Sequence, residues 1–277
     1  MIRVGIIGFG KMGHIRAKAV EKSGLGRVIS VYDENVNNIS GYNKESSIDN
    51  IINNPDIDAI FVCTPNNFNK QYTIRSLEAG KHVFCEKPPA FNADEVLEIQ
   101  KIEKKSLKKL MYGLNHRYHD SVIKMKNIID SGDFGKTLWM RGRYGKSVDG
   151  TFFNNWRSKK KLAGGGILMD QGIHMVDLMR LFAGNFNEIS SVVSNSFWGY
   201  EVEDNAYALM KTKDGVVGML NSSATQWRHR FNLEINFERG SLILGGILTG
   251  TKSYGAETLT IINSDPDNDG GDPKEQT

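Results

Sequence analysis

Asp170, His174 and Asp177 stand at i, i+4 and i+7 of a segment, 166–182, whose other residues are mostly apolar. At about 100° per residue the three share one face of a helix. An apolar helix is buried, and buried carboxylates and imidazoles cost free energy unless they are paired or used. A carboxylate one turn from an imidazole orients the ring and raises its pKa, as a general acid–base group requires. Two other readings fit the same spacing. The trio would also serve as a satisfied structural network. Ligands at i and i+4 suit zinc, but no second His or Cys cluster accompanies them, so no metal is expected. Gly164-Gly165-Gly166 precede this helix, either to let backbone approach a flat ring closely or as a hinge.

A second group of residues has the chemistry of dinucleotide binding. Gly8-Phe9-Gly10-Lys11-Met12-Gly13 is G-x-G-x-x-G, following an apolar strand pattern and opening a helical one. In that context Gly8 permits the turn, Gly10 keeps side-chain atoms away from a pyrophosphate, and Gly13 allows close helix–strand packing. The helix N-terminus offers unpaired N–H groups and positive dipole to phosphates. Asp33 lies about twenty residues on, at the end of the second strand pattern. A carboxylate there accepts from both ribose hydroxyls and repels a 2′-phosphate, so NAD is expected over NADP. Its other reading is a plain turn residue. Three more polar clusters follow strand patterns: Thr64-Pro65-Asn66, Glu86-Lys87-Pro88-Pro89 and Asn115-His116-Arg117. Ligands of open α/β sheets bind beyond the carboxyl ends of strands, where these clusters fall. Lys87, held between a strand and two prolines, is the sharpest candidate; a lone Lys after a strand is otherwise a solvated residue.

The elements that must hold these residues change character along the chain. Strand patterns at 2–8, 27–33, 58–64, 81–85 and 109–114 alternate with helical ones at 12–23, 71–78 and 93–104. Near-continuous apolar strands between helices predict a doubly wound parallel sheet, residues 1–118. Beyond it, a helix at 121–131, a strand at 137–144 and the helix at 166–182 precede strand patterns at 188–197, 205–212, 216–224, 231–237 and 241–244. Lys213-Asp214-Gly215 and Glu238-Arg239-Gly240 read as hairpin turns. Residues 119–277 are therefore an α+β domain on a largely antiparallel sheet. Arg141-Gly142-Arg143-Tyr144-Gly145-Lys146 is basic, and reads either as a phosphate, nucleotide-sugar or acidic-sugar contact or as a solvated loop. Asn263–Gly271 reads as an exposed loop or tail.

Composition excludes several classes. The 277 residues carry 35 Lys+Arg against 32 Asp+Glu, a net charge of +3. That balance, without a dense basic block, argues against nucleic-acid binding. No run of about 18 apolar residues predicts a membrane span. Met1–Ile7 reads as a strand, its apolar stretch being too short for a signal peptide. Cys63 and Cys85 sit in apolar runs and make neither a disulfide framework nor a zinc site. The expected compartment is the cytoplasm.

Taken together, the glycine loop, Glu86-Lys87-Pro88, Asn155-Trp156-Arg157 and the Gly-Gly-Gly, Asp170-x-Gly172-x-His174-x-x-Asp177 run resemble the Gfo/Idh/MocA family, that of glucose–fructose oxidoreductase and inositol dehydrogenase. The resemblance covers the chain. It implies an N-terminal Rossmann domain, a C-terminal domain on an open sheet, and NAD(P)-dependent hydride transfer at a CH–OH group of a sugar, sugar derivative, nucleotide-activated sugar or cyclitol. Carried over by position, Lys87 contacts the nicotinamide ribose and the reacting oxygen, His174 is the general acid–base, and Asp170 holds the substrate or proton relay. Gly8, Phe9, Gly10, Lys11, Met12, Gly13, Asp33, Thr64, Pro65, Asn66, Glu86, Lys87, Asn115, Trp156 and Arg157 fall to the cofactor. Arg117 and Tyr144 join Lys87, Asp170 and His174 on the substrate. It further implies a dimer or tetramer through the C-terminal sheet. Two other readings share the scaffold: an NAD-linked regulator without turnover, which could dispense with Lys87 and His174, and a glycosidase that retains its NAD. The sequence departs from the family twice. Asn69 stands where the family often has His, in Thr-Pro-Asn-x-x-His. The family's closing strand and helix do not follow the polar loop, so the chain reads as a shortened member or part of a split gene.

Overall fold

The computed structural model describes residues 1–36, 39–249, 252–264 and 274–277. The chain divides into two units, Met1–Gly113 with Lys161–Gly164, and Leu114–Lys160 with Gly165–Thr277.

The first unit is built on five parallel strands: β1 (Ile2–Ile7), β2 (Gly26–Tyr32), β3 (Ala59–Val62), β4 (His82–Cys85) and β5 (Leu110–Tyr112). Their spatial order is β2-β1-β3-β4-β5. Val4, Ile6, Ile7, Ile60, Val62, Val83 and Cys85 are buried, which is why these strands read as unbroken apolar runs rather than alternating ones. The helices are α1 (Lys11–Lys22), α2 (Ile48–Ile52), α3 (Asn66–Glu78) and α4 (Ala93–Ser106). α1 buries Gly13, Ala17 and Val20, a single stripe at helical spacing. α3 starts at Asn66, five residues before the apolar periodicity suggests, because Pro65 sits at its N-cap and its first turn is polar. Order reverses at β1 and β3, so the doubly wound crevice lies beyond the carboxyl ends of those two strands.

The second unit carries an eight-stranded sheet ordered β13-β12-β11-β10-β6-β9-β8-β7. Its strands are β6 (Thr137–Ser147), β7 (Phe186–Ser194), β8 (Asn205–Thr212), β9 (Val217–Ser223), β10 (Thr225–Phe237), β11 (Gly240–Gly245), β12 (Thr258–Asn263) and β13 (Lys274–Gln276). All neighbours are antiparallel except β6 and β9. The helices are α5 (Asp120–Ser131), α6 (Lys160–Ala163, its last three residues in the first unit) and α7 (Ile173–Ala183). Val122 and Met125 of α5 and Met175, Leu178 and Met179 of α7 pack with Met140, Leu220, Leu233 and Ile235 of the sheet in one buried cluster.

Several expectations shift. β6 runs three residues past Tyr144, to Ser147. The single helix expected over 166–182 is instead a π-helical turn, Leu168–Gly172, followed by α7. β12 and β13 extend the sheet beyond the last strand read from the pattern; of the supposed loop, Asn263 ends β12 and 265–271 lie outside the described residues. Among the described residues no helix is long and apolar enough to cross a membrane.

Candidate functional site

In the first unit the glycine loop runs from the end of β1 into α1. A Cβ on Gly13 would lie 2.3 Å from the Gly8 carbonyl oxygen, so only glycine lets the helix start this close to the strand. A Cβ on Gly10 would meet nothing within 4 Å. Gly10 is the N-cap of α1, no side chain caps it, and the first turn carries no acidic residue. The open space before these N–H groups is what a pyrophosphate needs. Asp33, just after β2, accepts from the Phe9 N–H at 2.6 Å and from the Asn35 and Val36 N–H groups at 2.9 and 3.0 Å. Its carboxylate is thus fastened against the glycine loop. Phe9 itself contributes no exposed side chain: its ring is fully buried against His14 and Tyr42. Lys11 is exposed and Met12 half-buried at the start of the helix.

The two other strand-end clusters of this unit are braced by their neighbours. Thr64 Oγ1 donates to Asn69 Oδ1 at 3.3 Å, and Pro65 is the N-cap of α3. Asn66 donates to the Ala163 carbonyl at 2.8 Å, so its amide serves the chain segment 161–164. Glu86 is buried in an ion pair with Arg16, Nε to Oε1 2.6 Å. Lys87 is half-buried, and the backbone on both sides of it is held by one side chain: Asn69 Nδ2 donates to the Glu86 carbonyl at 3.2 Å and to the Pro88 carbonyl at 2.8 Å. Asn69 and Arg16 were not apparent as site residues from spacing, because their partners are 17, 19 and 70 residues away.

In the second unit, the segment 166–177 is fixed before any of its polar residues acts. Glu203 caps it, accepting from the Gly166 and Leu168 N–H groups at 2.8 and 3.2 Å. A Cβ on Gly166 would fall 2.0 Å from the Glu203 carbonyl oxygen, which accounts for that glycine by packing within the unit. Gly172 packs against Ser222 of β9, whose hydroxyl donates to the Ile167 and Tyr144 carbonyls. In the π turn the Ile173 N–H reaches back to the Leu168 carbonyl, and such turns re-aim side chains at functional sites. Asp170 sits in this turn. Its Oδ2 lies 2.8 Å from Lys146 Nζ and its Oδ1 3.2 Å from Arg157 Nε. The Arg157 guanidinium also lies over the half-buried Trp156 ring, 4.3 Å from its centre.

His174, the first turn of α7, is buried and stacked on His116, with ring centres 4.0 Å apart and planes 13° from parallel. His116 Nε2 lies 3.3 Å from the Tyr144 hydroxyl. Tyr144 is buried in an aromatic group with Phe231 and Tyr254, and burial holds its phenol well above the ordinary pKa, so it stays protonated and able to donate. Asp177 forms a two-pronged ion pair with Arg117, whose Nε donates to Oδ2 at 2.6 Å. Asn115 is exposed in the same 3-10 turn, Asn115–Tyr118. Of the Asn115-His116-Arg117 cluster, therefore, the member that reaches His174 is His116, which the spacing did not single out. The basic stretch is likewise divided. Arg141 and Arg143 point to the exposed face of the sheet, Arg141 pairing with Glu234 at 2.7 Å, while Tyr144 and Lys146 point to the face that carries α7. Among the described residues no group of three or more His, Cys, Asp or Glu is placed to hold a metal.

Two family models match the chain: "Oxidoreductase family, NAD-binding Rossmann fold" over residues 2–114, and "GFO/IDH/MocA C-terminal domain" over residues 122–243. The chain belongs to the Gfo/Idh/MocA family of oxidoreductases. The levoglucosan dehydrogenase of Pseudarthrobacter phenanthrenivorans is 29% identical over 71% of this chain, a match that spans 56% of that enzyme's length. The inositol 2-dehydrogenase of Rhizobium meliloti is 28% identical over 87% of this chain and 74% of its own. Among solved structures, levoglucosan dehydrogenase in complex with NADH and L-sorbose superposes with a TM-score of 0.89 at 24% identity, covering 100% of this chain and 80% of that one. At that identity the likeness is one of fold, and it extends over both units. The residues of the family's NAD-binding domain fit the dinucleotide here: the open Gly10 position, the uncapped start of α1 and the fastened Asp33 carboxylate are the features such a group requires.

Proposed function

We propose that the chain transfers a hydride between NAD(H) and a secondary alcohol or ketone of a sugar, sugar derivative or cyclitol. The reading rests above all on membership of this oxidoreductase family, together with Lys87, Asp170 and His174, to which the resemblance of the sequence motifs assigns the catalytic roles. Gly8, Gly10 and Gly13 with the start of α1 hold the pyrophosphate, and Asp33 the adenosine ribose, with NAD favoured over NADP. When bound, NAD supplies the acceptor for the hydride. In the oxidative direction an imidazole nitrogen of His174 takes the hydroxyl proton as the carbinol C–H bond is lost. The Lys87 ammonium donates to the same oxygen, stabilising the charge that develops on it. Asp170, set between Lys146 and Arg157, accepts from a neighbouring hydroxyl and orients the ring. Arg117 and Asp177 brace the turn that carries His116, and His116 supports the His174 ring. The resemblance further assigns Trp156 and Arg157 to the cofactor.

The substrate is hydroxyl-rich. With Arg141 and Arg143 on the opposite face of the sheet, the stretch 141–146 makes no phosphate cradle of its own. The levoglucosan and inositol dehydrogenases that the chain resembles act on compounds of this kind by name. The retained Lys87 and His174 favour turnover over a regulatory role.

The deciding experiment is a panel of sugars, anhydrosugars, glycosides and cyclitols, assayed for NADH formation at 340 nm. Net NADH from at least one member is expected, and would be absent for a regulator or an NAD-retaining glycosidase. General acid–base groups contribute ~10²–10⁴-fold, so His174→Ala is expected to lose about that much in kcat. Near-wild-type turnover in that variant would remove His174 from the role.

We also infer self-association through the exposed face of the second unit's sheet. Val192 and Tyr207 lie opposite each other there, as do Leu209 and Met219, and all four are exposed. Light scattering on the wild type and on Leu209→Glu tests it: a larger species that dissociates in the variant is expected, and a monomeric wild type would end the idea.

A further inference from the structure

Lys146 has no counterpart in the motifs that carry the resemblance, yet it meets Asp170 directly. It extends from β6 on the α7 side of the sheet, and its Nζ lies 2.8 Å from Asp170 Oδ2. Arg157 holds the other oxygen at 3.2 Å. Each carboxylate oxygen therefore meets a cation, which fixes the plane of the group. The contact is sheltered, with Lys146 and Asp170 side chains only 20% and 19% exposed. Lys146, Arg157 and Asp170 line one cavity together with Phe152, Tyr200 and Glu203. Glu203 is already engaged by the Gly166 and Leu168 N–H groups. The Lys146 ammonium is itself placed 5.8 Å from the centre of the Phe152 ring.

We propose that Lys146 is a positioning residue for Asp170. It sets the carboxylate, from the sheet side, in the orientation in which that group receives a substrate hydroxyl. This rests on the reading that Asp170 touches the substrate. A π turn leaves the backbone at Asp170 less regular than an α-helix would, and the side chain's direction depends correspondingly more on what holds its two oxygens. Arg157 alone, half-exposed on a 3-10 turn, holds one of them.

The test uses the full chain with the best substrate of the sugar panel, in the variants Lys146→Met, Lys146→Arg, Asp170→Asn and the Lys146→Met/Asp170→Asn pair. Hydrogen bonds to charged groups are worth ~1.5–3 kcal/mol, about 10–100-fold. Lys146→Met is expected to lower kcat/KM by about that factor while NADH binding stays unchanged. Lys146→Arg should recover most of the loss. In the Asp170→Asn background Lys146→Met should cost little more, because the two act as a unit. Wild-type activity in Lys146→Met, failure of Arg to rescue, or a full additional loss in the double variant would each overturn the proposal. If the wild type turns over no member of the panel, the functional reading fails separately. A crystal structure of Lys146→Met then decides: an Asp170 carboxylate turned away from its wild-type position upholds the positioning role, and an unmoved one refutes it.

Discussion

Asn69 donates both of its amide protons to the backbone around Lys87, to the Pro88 carbonyl at 2.8 Å and the Glu86 carbonyl at 3.2 Å, from a fully buried site. One neutral side chain thus fixes both shoulders of the proposed oxyanion-binding lysine. Asn69→Asp would set a carboxylate against two carbonyl oxygens. Leaving such a group unsatisfied costs ~1–3 kcal/mol or more. A melting temperature lower by several degrees is expected, together with a fall in kcat as Lys87 loses its anchor. Asn69→His, which restores the family's usual residue, should be milder on both counts. Calorimetry and steady-state assays of the two variants check this, and an Asp variant as stable and active as the wild type would show that the clamp is dispensable.

Asp33 is the residue proposed above to set the choice of cofactor. Its carboxylate is fastened to the glycine loop through the Phe9 N–H, so it cannot swing aside for a 2′-phosphate without breaking that bond. Charge-assisted hydrogen bonds to a ribose are worth ~1.5–3 kcal/mol. Asp33→Ser is therefore expected to weaken NADH about 10–100-fold and to narrow or invert the preference over NADPH. Titration by energy transfer from the tryptophans reads both constants. A wild type that binds NADPH as tightly as NADH would contradict the role.

The first unit was largely legible, and the reasons are local. Its strands are apolar on both faces, and each is followed by turn residues within a few positions, so period and punctuation agree. The second unit yields β6 to β11 from the pattern, but not β12 or β13, and less of its site. A uniform 100° per residue over 166–182 does not foresee the π turn at Leu168–Gly172, where Gly172 packs on Ser222 and Glu203 caps the segment's start. Those contacts join residues up to 50 positions apart and leave no local signature. The basic stretch reads as one patch when β6 ends at Tyr144. Carried on to Ser147, strand alternation alone separates Lys146 from Arg141 and Arg143. β12 has no clear sequence signal, because Thr258–Asn263 stands apart from any tight turn and is only partly buried.

Arg117 and Asp177 form a two-pronged ion pair in the second unit. The Asp177 side chain is 9% exposed, whereas Arg117 is 41% exposed, so solvent screens part of the attraction. Breaking a fully buried pair costs ~3–5 kcal/mol, because the surviving charge is stranded. With one partner at the surface, Arg117→Met should cost less, about 1–3 kcal/mol, read by urea unfolding. Asp177→Leu combined with Arg117→Met should regain most of it, since no charge is then left unpaired. An additive double variant would mean that the two residues stabilise the unit independently.

Glu257 ties the segment before β12 to the start of α5, accepting from Ser121 Oγ at 2.5 Å and the Leu248 N–H at 2.8 Å, with His119 Nδ1 also at 2.8 Å. Burial alone would raise its pKa, but the Ser121, Leu248 and His119 contacts outweigh burial and hold it below the ordinary 4.5. A carboxyl group whose folded pKa is depressed binds fewer protons folded than unfolded. Its stabilisation is therefore fully present above about pH 4.5 and is lost as pH falls through the lower folded value. Glu257→Gln, which cannot ionise, should remove that contribution. The wild type is then expected to exceed the variant in melting temperature at pH 6–7, with the gap closing as pH falls from about 5 toward 3. A gap that is constant over that range would mean that Glu257 stabilises the fold by shape and hydrogen bonding, with no contribution from its charge.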